Sequence, residues 1–173
     1  MAGKGIRFRK STHSGGDYLD FTATISATTA NSYVYGDLTS VTDYTIQAGD
    51  VLKYDVFWED ADGRMGLDYL TSDSTLLRGT SWTDENGLSA HPGTDLSEYA
   101  YNQWYSRSID ISGHAGKTIT TYMIACESDN AGTYGARFRR IRIEDGSGNI
   151  RKDIWSSGTP TLVRTSTFTG TSD

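Results

Sequence analysis

Hydrophobic and polar residues alternate most regularly between positions 51 and 70. The stretch VLKYDVFWE, which begins at Val51, places apolar and aromatic residues on one face of an extended chain and mainly polar residues on the other. This alternation has the period of a β-strand, in which successive side chains point to opposite sides. The stretch RMGLDYL, which begins at Arg64, alternates in the same way. The intervening segment DADG is typical of a turn, so the pattern predicts a central hairpin from Val51 to Leu70.

Several other short segments alternate in the same way and are separated by turn residues. They are residues 18–25, 103–111, 119–127, 136–143 and 150–155, with shorter candidates at 6–8, 44–47 and 73–78. Regularly spaced short strands of this kind are typical of an all-β sandwich or barrel.

A chain of 173 residues predicts a single domain. We assign residues 17–155 to the β-sandwich. Residues 1–16 are expected to form an N-terminal edge strand with a flexible segment, and the Thr/Ser-rich residues 156–173 a C-terminal edge strand or tail.

Charge and composition exclude several classes of function. The formal net charge is -6, so the chain lacks the overall basic footprint that nucleic-acid binding needs. No apolar stretch approaches the roughly 20 residues of a membrane span.

The single cysteine, Cys126, lies in the apolar run TYMIACE and is expected to be buried.

Two stretches of the second half resemble galactose-binding-like jelly rolls. They are QWYSRSIDISGHAGKTITTYMIACES, which begins at Gln103, and GTYGARFRRIRIEDG, which begins at Gly132. The resemblance implies an antiparallel two-sheet jelly-roll β-sandwich of the kind that many carbohydrate-binding modules use. Some relatives bind a structural calcium through an Asp before the closing Ile. This chain has Arg139 and Arg140 there, so that ligand is not carried over.

The resemblance also implies a function. We expect a non-catalytic, lectin-like carbohydrate-binding module of a secreted or surface bacterial protein, with a polysaccharide or other glycan as its partner. The first residues, MAGKGIRFRK, lack the apolar run of a signal peptide. If the protein is extracellular, we expect this chain to be a module of a larger protein with further domains.

Two alternatives belong to other classes of protein. One is a structural or adhesive β-domain of a phage or bacterial surface fibre, which would use the same sandwich as a spacer. The other is a small polysaccharide hydrolase or lyase. No GxSxG elbow is present, and 22 acidic residues make some pair of carboxylates inevitable, so neither feature favours an enzyme.

The long irregular stretch from residue 79 to residue 102 is the predicted glycan site. Loops of this length are uncommon in compact domains and are often functional. Flat aromatic rings and planar polar side chains are the groups that bind sugars in a pocket of apolar walls and a few polar contacts. The predicted site residues are Trp82, Asp84, Glu85, Asn86, His91, Asp95, Tyr99, Tyr101 and Trp104, with Arg107 just beyond. We expect Trp82 to be the exposed ring, because no apolar residue adjoins it.

Two further clusters have a structural and a functional interpretation. Asp60 and Asp62 offer clustered oxygens for a structural calcium ion, although an ordinary Asp/Gly turn is the interpretation we favour and no cofactor is required. The arginines in RFRRIR would suit a sulfated or uronic polysaccharide. We favour ion pairs with acidic residues on neighbouring strands. These arginines are Arg137, Arg139, Arg140 and Arg142.

Overall fold

A computed structural model of the chain describes residues 6–13, 16–25, 32–38, 41–60, 62–94, 100–155 and 162–169. Within these ranges the chain forms eleven strands and two short 3-10 turns, at Leu77–Gly79 and Ser112–His114. The strands are β1 (Ile6–His13), β2 (Gly16–Ile25), β3 (Ser32–Leu38), β4 (Tyr44–Thr45), β5 (Val51–Trp58), β6 (Arg64–Thr71), β7 (Trp104–Asp110), β8 (Thr118–Ser128), β9 (Gly132–Glu144), β10 (Ile150–Trp155) and β11 (Leu162–Thr169).

The strands form two antiparallel sheets that pack against each other. The first sheet has the order β1-β2-β9-β5-β7, and β10 also pairs with β9. In the second sheet β11 pairs with β3, and β3 pairs with β8. β4 pairs with the beginning of β8, and β6 pairs with the edge of β8 opposite β3. This arrangement confirms the predicted all-β, antiparallel two-sheet β-sandwich. No helix in the described residues is long and apolar enough to cross a membrane.

The core lies between the two sheets and is built from the inward faces of alternating strands. Tyr54 and Trp58 on β5 are at most 1% exposed, and so is Tyr69 on β6. The indole Nε1 of Trp58 donates a hydrogen bond to the carbonyl oxygen of Met65, at 2.8 Å across the core. Because the indole N–H of Trp58 has a hydrogen-bond partner, the whole ring can be buried and contribute its apolar area to the core.

The predicted hairpin from Val51 to Leu70 is wrong in its pairing. Both arms are strands at the predicted positions, but β5 belongs to the first sheet and β6 to the second. Residues 59–63 therefore connect the two sheets, and the apolar faces of the two arms meet across the core. A strand with one apolar face can pair with the next strand in the same sheet, or it can lie in the opposite sheet and pack its apolar face against that strand. Alternation alone does not choose between these two arrangements.

The predicted short strand at residues 73–78 is also wrong. This segment forms a turn followed by the first 3-10 turn. Asp73 Oδ1 accepts hydrogen bonds from the hydroxyls of Thr71 and Thr75, at 2.5 and 2.9 Å. Ser74 has a φ of 67°, which is incompatible with an extended strand. The hydrogen bonds from Thr71 and Thr75 to the side chain of Asp73 therefore stabilise a turn, although the weak alternation of this segment favours a strand.

Candidate functional site

Three aromatic rings form a row on the outward face of the first sheet. Phe57 on β5 and Trp104 on β7 are cross-strand partners, with ring centroids 5.6 Å apart. Trp104 also meets Tyr18 of β2 edge-on, with a centroid distance of 6.1 Å. All three side chains are half-buried. We call these three residues the aromatic row.

Two arginines of β9 lie against this aromatic row. The guanidinium carbon of Arg139 is 4.1 Å from the ring centroid of Trp104. That of Arg137 is 4.8 Å from the centroid of Phe57 and 5.4 Å from that of Tyr18. Cation–π contacts of this kind contribute about 0.5–1 kcal/mol at exposed sites. The arginines therefore help to hold the rings in place.

A β-bulge in β9 changes the direction of one arginine. Lys53 of β5 pairs with Arg142, and Asp55 pairs with Arg139, so β9 uses three residues where β5 uses two. Arg140 lies in the bulge with a φ of 52°, a left-handed conformation that costs energy for a residue other than glycine. Bulges commonly redirect a side chain next to a functional site. Here the bulge lets consecutive arginines reach one carboxylate.

That carboxylate belongs to Asp55, which is 4% exposed. Its Oδ2 accepts hydrogen bonds from Arg139 Nε at 2.8 Å and from Arg140 Nε at 2.7 Å. Its Oδ1 accepts one from the hydroxyl of Ser106 at 2.8 Å. The buried charge of Asp55 is therefore compensated by two cations and a hydroxyl.

A cleft of about 250 Å³ opens on the same face beside the bulge. Its walls carry the cationic side chains of Lys53, Arg140 and Arg142, and the serines Ser106 and Ser108 of β7 line it as well. We call this space the sheet cleft. It combines charged donors and hydroxyls on strands rather than on mobile loops, which favours a preorganised binding surface.

Glu144 forms ion pairs with two cations that line the sheet cleft, Lys53 and Arg142. Its carboxylate is 2.8 Å from Lys53 Nζ and 2.5 Å from Arg142 Nε. Burial opposes ionisation of this group, but the hydrogen bonds from Lys53 and Arg142 outweigh it, so the pKa of Glu144 is lowered. Glu144 is consequently held as an anion between two cations.

The beginning of the long loop docks on the edge of β7. Glu85 Oε2 accepts a hydrogen bond from the backbone N–H of Ser108 at 2.6 Å, and the backbone N–H of Glu85 donates to the Ser108 carbonyl at 3.1 Å. Behind them, Arg107 Nε donates to Asp84 Oδ2 at 2.7 Å, and Arg107 Nη1 donates to the hydroxyl of Tyr54 at 3.0 Å. These contacts place Glu85 at the rim of the sheet cleft.

The predicted site residues separate into groups. Glu85 and Arg107 line the sheet cleft, and Trp104 lies in the neighbouring aromatic row. Asp84 is buried beneath the loop as the partner of Arg107. Asn86 is exposed in the turn that follows.

The other predicted residues lie away from the sheet cleft. Trp82 is half-buried rather than exposed, and its ring centroid is 4.3 Å from that of His114. It lines a separate depression of about 310 Å³. His91 Nδ1 is 3.8 Å from Glu127 Oε2, and Tyr101 packs against the core. Asp95 and Tyr99 lie outside the described residues.

Lys53, Ser106 and Ser108 line the sheet cleft but are not among the predicted site residues. Their signal was weak, because polar residues on the outward face of a strand are ordinary. The arginine run was visible, and the predicted ion pairs with neighbouring strands are confirmed. They join Arg137 to Asp20 of β2 and to Glu59 just after β5, and they join Arg139 and Arg140 to Asp55 of β5. Arg142 instead pairs with Glu144 of its own strand.

The Asp60 and Asp62 pair shows the features of a turn. Asp60 Oδ1 accepts a hydrogen bond from the backbone N–H of Gly63 at 2.8 Å, and Asp62 is exposed. Among the described residues, no group of three or more His, Cys, Asp or Glu side chains is placed to hold a metal ion. The calcium site stays a prediction.

Comparison with protein-family models gives no match for this sequence. Comparison with curated proteins gives none either. The resemblance to galactose-binding-like modules therefore stays a prediction, and the case for a function depends on the geometry of the site.

Proposed function

We propose that this chain is a non-catalytic carbohydrate-binding module and that the glycan lies on the outward face of the first sheet. The observation that carries the proposal is the joining of the aromatic row to the sheet cleft through Arg139, which contacts both Trp104 and Asp55. A sugar offers a C–H face to an aromatic ring and hydroxyls to polar side chains, and this surface presents both kinds of group. At about 250 Å³, the sheet cleft lies below the range of about 300–1,000 Å³ typical of drug-sized ligand sites. It is therefore suited to a small group such as one sugar unit.

The acidic residues at this surface support binding rather than hydrolysis. A glycosidase needs one carboxylic acid that keeps its proton near neutral pH. Asp55 and Glu144 each contact two cations. For Glu144 the hydrogen bonds from Lys53 and Arg142 lower the pKa, which disfavours the protonated form. Glu85 accepts a backbone hydrogen bond. These carboxylates are arranged as acceptors that hold the arginines and the loop.

A glycan array followed by calorimetry tests the proposal. Trp104→Ala removes the largest ring of the aromatic row and is expected to weaken glycan binding by tenfold or more, as for a ring at the centre of an interface. Trp82→Ala is the matched control, because this ring packs on His114 and not on the sheet cleft. We expect it to lower the melting temperature and to leave affinity unchanged.

Two results would contradict the proposal. If Trp82→Ala abolishes binding while Trp104→Ala does not, the glycan occupies the depression beside Trp82. If the folded wild-type chain binds no glycan and forms a stable trimer in solution, the structural fibre domain becomes the better explanation.

A further inference from the structure

The sheet cleft is lined by more positive than negative side chains. Four cations share two carboxylates, so each carboxylate is contacted by two cations. The four cations are Lys53, Arg139, Arg140 and Arg142, and the two carboxylates are Asp55 and Glu144. Two carboxylates neutralise only half of this charge.

The neighbouring charges reduce this surplus, but the lining of the cleft stays mainly positive. Arg107 and Asp84 are a neutral pair, and Glu85 at the rim adds one negative charge. Asp153 of β10, the cross-strand partner of Arg142, adds another. The side chains that line the cleft itself still carry four cations and only two carboxylates. The whole chain carries a formal net charge of -6, so the cleft has the opposite sign to the protein that surrounds it. A local field of this kind attracts and orients an anion.

Arg140 is the cation best placed to receive such an anion. Its side chain is 55% exposed, whereas that of Arg139 is 21% exposed. Its contacts to Asp55 use Nε and Nη2, and a guanidinium has five N–H donors. The bulge holds it at the cleft with a positive φ, and backbone strain of this kind persists where the surrounding structure imposes it, often at binding sites.

Arg142 is held in position beside it. Its Nη1 donates to the backbone carbonyl of Arg140 at 3.0 Å, and its Nε to Glu144. Two neighbouring guanidiniums match the planar or tetrahedral oxygens of a carboxylate or a sulfate, which arginine binds with paired hydrogen bonds. Ser106 and Ser108 line the same cleft and add hydroxyls suited to the rest of a sugar ring.

We infer that the ligand of the sheet cleft is an acidic sugar unit, whose carboxylate or sulfate ester binds Arg140 and Arg142. This inference rests on the proposed glycan-binding function and adds the class of glycan to it. The acidic group contributes most of the selectivity. The rings of the aromatic row stack on the sugar rings whatever the order of the sugars in the glycan.

Calorimetry with matched oligosaccharides tests the inference. One arm compares galacturonic acid oligomers with their methyl esters, which keep the backbone and lose the charge. The other arm compares sulfated with unsulfated galactose oligomers. We expect one acidic oligomer to bind roughly 10- to 100-fold more tightly than its neutral counterpart, as for hydrogen bonds to charged groups. The preference should shrink as salt rises from 0.05 to about 0.5 M. If the preference appears with the galacturonic acid oligomers, the bound group is a carboxylate. If it appears with the sulfated galactose oligomers, the bound group is a sulfate.

Charge-removing variants locate the anion. Arg140→Gln and Arg142→Gln should reduce the affinity for the acidic oligomer to that for the neutral one. Lys117→Gln removes the same charge from an ion pair with Asp73, which lies outside the sheet cleft, and should leave both affinities unchanged. Circular dichroism and a thermal melt verify that each variant is folded.

Equal binding of acidic and neutral oligomers by the wild type, with Trp104→Ala weakening both, would overturn this inference and leave the proposed function in place. Unchanged acid preference in Arg140→Gln and Arg142→Gln would also overturn it. Failure of every oligomer to bind the folded wild type would overturn this inference, and the proposed function falls with it only if the glycan array also shows no binding.

Discussion

The guanidinium of Arg107 and the carboxylate of Asp84 form a buried ion pair with a separation of 2.7 Å. The two residues are 3% and 5% exposed. Asp84 Oδ1 also accepts hydrogen bonds from the backbone N–H groups of Asn86 and Leu88, at 3.0 Å each, and Arg107 Nη2 donates to the Ser89 carbonyl at 2.7 Å. The pair therefore fastens the beginning of the long loop to β7.

Arg107→Met should destabilise the fold strongly. It leaves the charge of Asp84 buried without its cation, which typically costs about 3–5 kcal/mol in the free energy of unfolding. Denaturant unfolding followed by tryptophan fluorescence measures the change. Asn86→Ala, a change at an exposed neighbour in the turn, is the control and should alter stability by no more than about 0.5 kcal/mol. Equal stabilities of Arg107→Met and the wild type would show that the pair does not hold the loop.

Gly113→Ala should disturb the packing of Trp82. A Cβ atom at position 113 would lie 2.6 Å from Cζ2 of the Trp82 ring, closer than two carbons can approach. Overpacking of this kind costs about 1–3 kcal/mol, which is roughly 2–4 °C in Tm for each kcal/mol in a domain of this size. Gly79→Ala is the control, because a Cβ there has no atom within 4 Å. A thermal melt in which both variants match would refute the tight contact.

His114 predicts a pH dependence of stability. Its ring is buried beside Tyr69 and Trp82, and Nδ1 lies 2.8 Å from the Tyr69 hydroxyl. Burial lowers the pKa of His114, Lys117 adds to this effect, and Asp73 opposes it. Because the native state resists protonation, the unfolded state binds more protons below its own pKa of about 6.5. The histidine's contribution to stability is therefore lost as pH falls below that value.

Thermal melts of the wild type and His114→Gln between pH 7.5 and 5 measure this contribution. The wild type should lose more stability across the range than the variant. Asp68 has a raised pKa because it is buried, so its own contribution changes in the opposite direction. That residue is present in both proteins and cancels in the comparison. Parallel pH profiles would contradict the prediction.

Cys126 should be unreactive in the folded protein. Its side chain is buried at 0% exposure, and burial raises the pKa of the thiol well above its usual value, with Asp60 and Glu127 adding to the effect and Arg64 opposing it. The thiolate is the reactive form, so both access and ionisation are suppressed. Mass spectrometry after iodoacetamide at pH 8 should find no label on the native chain and one after unfolding in guanidinium chloride. Rapid labelling of the native chain would contradict this burial.

The amino-acid sequence by itself determined where most strands lie and which of their faces are buried. Residues 51–58 and 64–71 are strands in which Leu52, Tyr54, Val56, Trp58, Met65, Leu67 and Tyr69 are buried in the core, as their alternation predicts. This information is local, because the two-residue period follows from the geometry of a single extended strand. The run RFRRIR likewise predicted a strand, and its expected ion pairs with acidic residues of neighbouring strands hold for Arg137, Arg139 and Arg140.

Tertiary structure decided which strands pair and which side chains meet. β5 and β6 are consecutive in the chain, yet they lie in different sheets because their apolar faces pack against each other across the core. The bulge at Arg140 is equally invisible in the sequence, since it depends on the register between β9 and β5. Lys53, Ser106 and Arg142 come together only because three strands distant in sequence are neighbours in one sheet. Pairing and register are non-local contacts, and a pattern read along one strand carries no information about the identity of its partner.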